Sequence, residues 1–310
     1  MTVNSSAFPA KGTAWYGWAL ALATTLFFSI GPVTTKFIID SGVEPVTMMV
    51  LRYVASTLLL VSTVGIKSPH RLRLDYAGMR LAVLAGVIFS GSFFLFASAL
   101  VRISASVSSM IVAVYPLFVL AILALRGEKF TYRNLIRSGL GLLGIYFLIG
   151  LSGRVDLIGA MMVLGTALTY AIYLFVIQSL KDYDGQTVML YIFATISLVS
   201  VGLWFSQSNG WRMPSAAGWL GIGVLVIFTT YLAQLCLFAA VRLIGSGQMA
   251  MLYPVEVLLT ITWAALFLGE HLTITQGIGG VLIFGSLLLA LKRLGRARYY
   301  SWRPRLRLRL

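Results

Sequence analysis

The sequence predicts an all-α membrane protein, ten transmembrane helices arranged as two inverted five-helix repeats. Three observations lead there. The chain is 59% hydrophobic and 11% charged, where an ordinary soluble domain is about 45 to 50% apolar and about 25% charged. Apolar stretches recur from end to end, each near the roughly 20 residues that a helix rising about 1.5 Å per residue needs to cross about 30 Å of hydrocarbon. Shifted by 142 residues, the chain also resembles itself: Leu26 meets Leu168, Ile30 meets Ile172, Leu95-Phe96-Ala97 meets Leu237-Phe238-Ala239, and Gly127-Glu128 meets Gly269-Glu270. Five spans are an odd number, so the second copy enters the membrane from the opposite face. Inverted repeats of this kind build alternating-access transporters.

The expected spans run 15–35, 45–65, 79–100, 106–125, 132–151, 157–179, 187–206, 217–240, 247–268 and 274–292. The first lacks a basic start and a small-residue cleavage site, so it reads as a retained anchor rather than a signal peptide; it carries Thr25, Ser29 and Pro32. The second holds Arg52 in "MMVLRYVAS", the third Ser90 and Phe94. Ser108, Tyr115 and Pro116 lie on the fourth, and Gly139 and Gly144 on the fifth. Thr166, Tyr170 and Tyr173 fall on the sixth, and Tyr231, Gln234 and Cys236 on the eighth. The ninth contains Tyr253, Pro254, Glu256, Thr260 and Trp263. Residues 1–151 then form the first repeat, 152–293 the second, and 294–310 a basic cytoplasmic tail. Each intramembrane proline removes a backbone hydrogen bond and reads equally as a hinge or as a static bend.

Connections this short leave no soluble domain, so function must lie between helices. A single cysteine excludes an intrachain disulfide. His70 and His271 fall in loops with no ligand-spaced partner, which argues against a metal; no cofactor is expected. Neither a phosphate-binding glycine loop nor a nucleophile with a neighbouring base is present, so an enzyme is not expected.

The net charge of +15 matters through its distribution. Outside the apolar stretches, Lys36, Arg102, Arg154 and Arg212 would face one side, and every other lysine and arginine except Arg52 the other. Basic residues collect on the cytoplasmic face, so both termini are expected there, in an inner membrane. The basic loops account for the charge without a nucleic-acid partner. The tail "RPRLRLRL" reads either as a solvated end or as a grip on anionic membrane lipid.

The stretch "SALVRISASVSSMIVAVYPLFVLAILALRGEKFTYRNLIRSGLGLLGIYFLI" places small residues before a proline-bearing helix, then a Gly-Glu loop and a glycine-bearing fifth helix. "AAVRLIGSGQMAMLYPVEVLLTITWAALFLGEHLTITQGIGGVLIFGSLLLAL" repeats it. Both resemble the EamA-type repeat of the drug/metabolite transporter superfamily, over about residues 15–293. The resemblance implies ten helices, peripheral fifth and tenth helices, a central cavity, and transport of a metabolite or drug-like solute, in many members outward. At the common shift Pro116 falls on Leu258, so Pro254 stands four residues early, a departure from the symmetric pattern.

Steps of three and four along the ninth span gather Met249, Tyr253, Glu256, Thr260 and Trp263 on one stripe. A carboxylate facing lipid costs several kcal/mol, so acids in such helices face an interior and mark substrate or proton routes. Glu256 therefore reads as a coupling or recognition residue, against the alternative of a packing Glu within the bundle. Arg52 reads either as a recognition residue or as a structural, snorkelling arginine, and the estimated depths leave a direct pair with Glu256 open. Neither charge has a charged counterpart in the other repeat. On the helices that the resemblance places round the cavity stand Thr25, Ser29, Ser108, Tyr115, Tyr170, Tyr173 and Gln234, with Ser90, Phe94, Thr166 and Tyr231. Aromatic faces and hydroxyls suit a small amphiphilic or cationic solute, while Arg52 keeps a carboxylate-bearing one open. The reading is a secondary exporter, with proton coupling through Glu256 as its expected mechanism; the rivals are a structural or lipid-binding membrane protein and a membrane enzyme lacking a recognisable motif. Oligomeric state is not legible.

Overall fold

The computed structural model describes residues 11–65, 74–125, 132–149, 155–180, 183–206, 214–244, 249 and 252–294. Among the described residues all regular structure is helical. The helices begin where local chemistry satisfies their first N–H groups. After α1 (Lys11–Asp40) and α2 (Pro45–Leu60), the latter opened by a proline in its first turn and prolonged by a π-helical turn at Val61–Gly65, comes α3 (Tyr76–Leu100). Asp75 caps α3, accepting from the Gly78 N–H at 3.0 Å. α4 (Ala105–Val112), α5 (Tyr115–Leu125) and α6 (Tyr132–Ile149) complete the first half. Asp156 caps α7 (Leu157–Gln178) in the same way, from the Gly159 N–H at 2.9 Å. Then follow α8 (Gly185–Ser206), α9 (Ala216–Val224), a π-helical segment Leu225–Leu232, α10 (Ala233–Ile244), α11 (Tyr253–Leu268) and α12 (Ile274–Leu294).

Among the described residues six helices are long and apolar enough to cross a membrane: Trp15–Asp40, Pro45–Thr63, Tyr76–Leu100, Leu157–Ile177, Gly185–Ser206 and Ala216–Ala240. The apolar helices Ala105–Val119, Val255–Leu268 and Ile274–Gly285 are shorter. A continuous span is expected over 106–125, and it is divided; of the one expected over 247–268, residues 247, 248, 250 and 251 lie outside the described residues. Proline has no N–H to give the ladder and disfavours helical backbone at the residue before it. Accordingly Val114 turns, its N–H donating to the Ile111 carbonyl at 3.1 Å, before Tyr115-Pro116 opens α5; Leu252 turns, its N–H donating to the Met249 carbonyl at 3.1 Å, before Tyr253-Pro254 opens α11. Both Tyr-Pro pairs stand in the first turn of a described helix.

α1 packs along α10, the second π segment and α11; α3 lies along α7 and α8; α2 along α8; α6 along α12. The larger core joins α2, α3, α8 and the second π segment through Met48, Met49, Tyr53, Phe93, Ile196 and Leu225. A second gathers Ile111, Val163, Val257 and Ile283. Outside these cores the surface stays apolar, with Leu143, Leu198, Leu220, Leu266, Phe267 and Val281 exposed. An apolar surface of that extent belongs in lipid.

Candidate functional site

The two Tyr-Pro starts meet inside the bundle. The rings of Tyr115 and Tyr253 pack edge to face, centroids 5.3 Å apart at 85°. Tyr170 of α7 meets Tyr115 at 5.3 Å and 87°. Tyr173, on the same face of α7, lies 5.8 Å from Tyr170 and 4.8 Å from Phe89 of α3. Glu256 stands three residues beyond Tyr253 on the same face of α11, in electrostatic reach of the hydroxyls of Tyr115, Tyr170 and Tyr253. Among the described residues its carboxylate makes no ion pair, and the hydrogen bonds at Glu256 run through its backbone: the N–H donates to the Leu252 carbonyl at 3.0 Å and the carbonyl accepts from the Thr260 hydroxyl at 3.0 Å. The sealed, partnerless side-chain oxygens among the described residues are those of Thr35 and Ser109, so the carboxylate is not closed off. Three tyrosines, Tyr115, Tyr170 and Tyr253, thus surround an acid that has no ion-pair partner among the described residues, and Tyr173 backs Tyr170.

Arg52 is buried, 8% exposed. Its Nε donates to Thr230 Oγ1 at 2.7 Å and Nη2 to Thr229 Oγ1 at 3.2 Å. The guanidinium lies 4.8 Å from the Phe93 ring centroid and 5.3 Å from that of Tyr53, favourable cation–π placements. Both threonines sit in the second π segment, where the Thr230 hydroxyl also donates to the carbonyl of Leu225, five residues back, at 2.8 Å. The ion pairs among the described residues are Lys36 with Asp40 and Arg102 with Asp156; Arg52 and Glu256 do not pair. Rings nonetheless bridge the space between them. Tyr173 lies in electrostatic reach of Tyr53, and Tyr53 packs at 5.6 Å on Phe93 beneath Arg52. An aromatic line therefore leads from the free acid to the buried guanidinium.

Other expected lining residues are engaged in holding helices together. The Thr260 hydroxyl donates to the Ser29 carbonyl at 3.0 Å, and Trp263 Nε1 donates to Ser29 Oγ at 3.1 Å. Thr25 donates to Ala21, Ser108 to Ser104 and Ser90 to Gly86, all at carbonyls of their own helices. Thr166 reaches the carbonyls of Met162 and Ser92. Tyr231 and Phe94 pack against the larger core, and Gln234 is half-buried. Sequence reasoning missed Thr229 and Thr230, for which an apolar run with two threonines gives no signal. It also missed the use of Glu270, although the repeated Gly-Glu pair pointed to that position.

The apolar helical surface and the enclosed polar site define a multi-pass membrane protein. The EamA-like transporter family is matched twice, over residues 15–150 and 157–292, and the chain belongs to that family of membrane transporters. A curated relative described as the uncharacterized transporter YcbK of Bacillus subtilis (strain 168) is 26% identical over 287 residues, covering 84% of this chain and 91% of its own. A solved structure described as "Crystal structure of protein" shares the fold, with a TM-score of 0.65 at 16% identity over 91% of this chain and 98% of that one.

Proposed function

We propose that the chain is a secondary active carrier that moves a small cationic or dipolar amphiphile out across the inner membrane, coupled to protons, with both termini cytoplasmic. Ten crossings form two inverted five-helix repeats, residues 1–151 and 152–293, followed by the basic tail. Helix packing supports this. Exchanging the halves maps the contact of α1 with α10 onto that of α7 with α3, and the contact of α1 with α11 onto that of α7 with α4 and α5; the α6–α12 and α2–α8 contacts map onto themselves. Alternating access follows from rocking one such repeat against the other.

The observation that carries the proposal is the Glu256 carboxylate, without an ion-pair partner among the described residues and ringed by Tyr115, Tyr170 and Tyr253, with Tyr173 packed behind Tyr170. An ionised carboxylate among aromatic faces attracts an organic cation, and the rings add to that attraction. Protonation removes the charge. Proton and cationic solute then compete for one acceptor, and proton binding on one side drives solute release there. Arg52, without a carboxylate partner among the described residues, extends the range to solutes that bear an anionic group as well. Thr260, Trp263 and Ser29 hold α11 to α1 and thereby fix Glu256 in place.

The test begins with thermal-shift screening of the purified chain against amino acids, amines and nucleosides, since a ligand of the native state raises its apparent stability. The identified solute is then followed in liposomes under an imposed pH gradient. Glu256→Gln preserves the shape and fixes a neutral group, so uphill accumulation is expected to vanish. A Gln variant that still concentrates solute on a pH gradient alone overturns the coupling role.

A further inference from the structure

The Gly269-Glu270 pair has no part in the tyrosine cage, yet among the described residues Glu270 makes three hydrogen bonds across the two halves. Gly269 ends α11 in the left-handed conformation, φ 65°, which costs glycine little. The chain turns there, and Glu270 reaches the start of α4. Its carboxylate accepts from the Ala105 N–H at 2.7 Å, the Ser106 N–H at 2.9 Å and the Ser106 hydroxyl at 2.6 Å. Charge-assisted bonds to a helix start are short and strong, and the helix dipole favours the anion. These bonds tie the end of α11, which carries Tyr253 and Glu256, to the start of α4, which leads to Tyr115. Beneath them lies an apolar plug of Val33, Leu100, Ala105 and Ala264, packed against Trp263 and Leu268. The neighbouring tie between the halves, Arg102 with Asp156 at 3.2 Å, is solvent-exposed, where ion pairs count for little.

We propose that Glu270 is the latch of the gate at this end of the carrier. In this conformation it closes the route to the tyrosine cage. Opening that route separates α4 from α11, breaks all three bonds, and lets water solvate both the carboxylate and the exposed N–H groups. The two states are therefore each satisfied, and the latch sets the balance between them. The inference rests on the carrier reading, but its test needs no solute.

Ser109, one turn inside Ala105 and 6% exposed, serves as the reporter. Ser109→Cys is placed in a Cys236→Ser background of the full chain, reconstituted in liposomes, and its reaction rate with a membrane-impermeant maleimide is measured. Glu270→Gln keeps the volume and loses the charge; one charged hydrogen bond is worth enough to raise the open population, and the labelling rate, about tenfold. Ser106→Ala, which removes one of the three bonds, raises it less. Arg102→Gln leaves it unchanged. Unchanged labelling in Glu270→Gln at equal folded fraction overturns the latch, and so does an equal rise with Arg102→Gln, which reports general loosening. If Glu270→Gln does not fold, Ser106→Ala decides, and a flat rate there overturns it. A normal latch response beside intact uphill transport in Glu256→Gln removes the coupling role and leaves the latch standing.

Discussion

Ser29 shows how one small side chain divides a polar stripe into two uses. Its carbonyl receives the Thr260 hydroxyl and its own hydroxyl receives the Trp263 indole N–H. These bonds are interhelical, so Trp263→Phe and Ser29→Ala are each expected to cost about 1 kcal/mol. The double variant should cost little more than either single one, because both remove the same bond. Unfolding in detergent measures all three. Additive losses would show that the indole does not depend on Ser29. The stripe itself was legible, since steps of three and four place Tyr253, Glu256, Thr260 and Trp263 on one face. Its division was not, because a hydroxyl able to meet a solute is equally able to meet a neighbouring carbonyl. Arg52 shows the same limit: its partners Thr229 and Thr230 lie 177 and 178 residues away, and no local spacing records them.

Elements were legible as apolar lengths, whereas their interruptions required packing. Sequence symmetry at a shift of 142 left Pro254 four residues early, but the folded chain matches Tyr115-Pro116 with Tyr253-Pro254, each opening a helix, and brings the two tyrosines together. Four residues are about one helical turn, so the offset preserves the face that carries them. At other helix starts the symmetric fit is set by glycine. A Cβ on Gly78 would stand 2.8 Å from both Asp75 Oδ1 and the Tyr183 ring, and one on Gly218 would stand 3.4 Å from Ser41 Oγ at the related junction. Asp75 is the titrating member of the first junction. The Tyr183 hydroxyl, and after it the Gly78 N–H, hold its carboxyl below the usual aspartate range. A lowered folded value means stabilisation that is complete above the unfolded value of about 3.9 and is lost as pH falls through the folded one. Unfolding temperature in detergent should therefore drop on acidification below about pH 4. Asp75→Asn should remove that part of the dependence, and Tyr183→Phe should reduce it. An unchanged acid profile in Asp75→Asn would assign the loss to other carboxylates.

At the scale of the whole molecule, composition and self-similarity pointed to a membrane bundle of two related halves, and the family match falls on both of them. Among the described residues six helices carry enough apolar length by themselves; the crossing of the divided and shorter ones is a question of parity. If the stretches from Ala105 to Leu125 and from Tyr132 to Ile149 both cross, a reporter active only in the cytoplasm is silent after Arg102, active after Lys129 and silent again after Arg154. A fourth stretch that enters without crossing leaves the first two fusions alike. The same alternation in the second half makes a fusion near Asn209 silent and one after Leu294 active. Orientation itself rests on the basic residues, which collect in the cytoplasmic loops of membrane proteins. The inverse pattern at Asn209 and Leu294 would turn the bundle over. Glu270 would then latch the cytoplasmic gate, and the Ser109→Cys reporter would have to be labelled from that face, so the two experiments check one another.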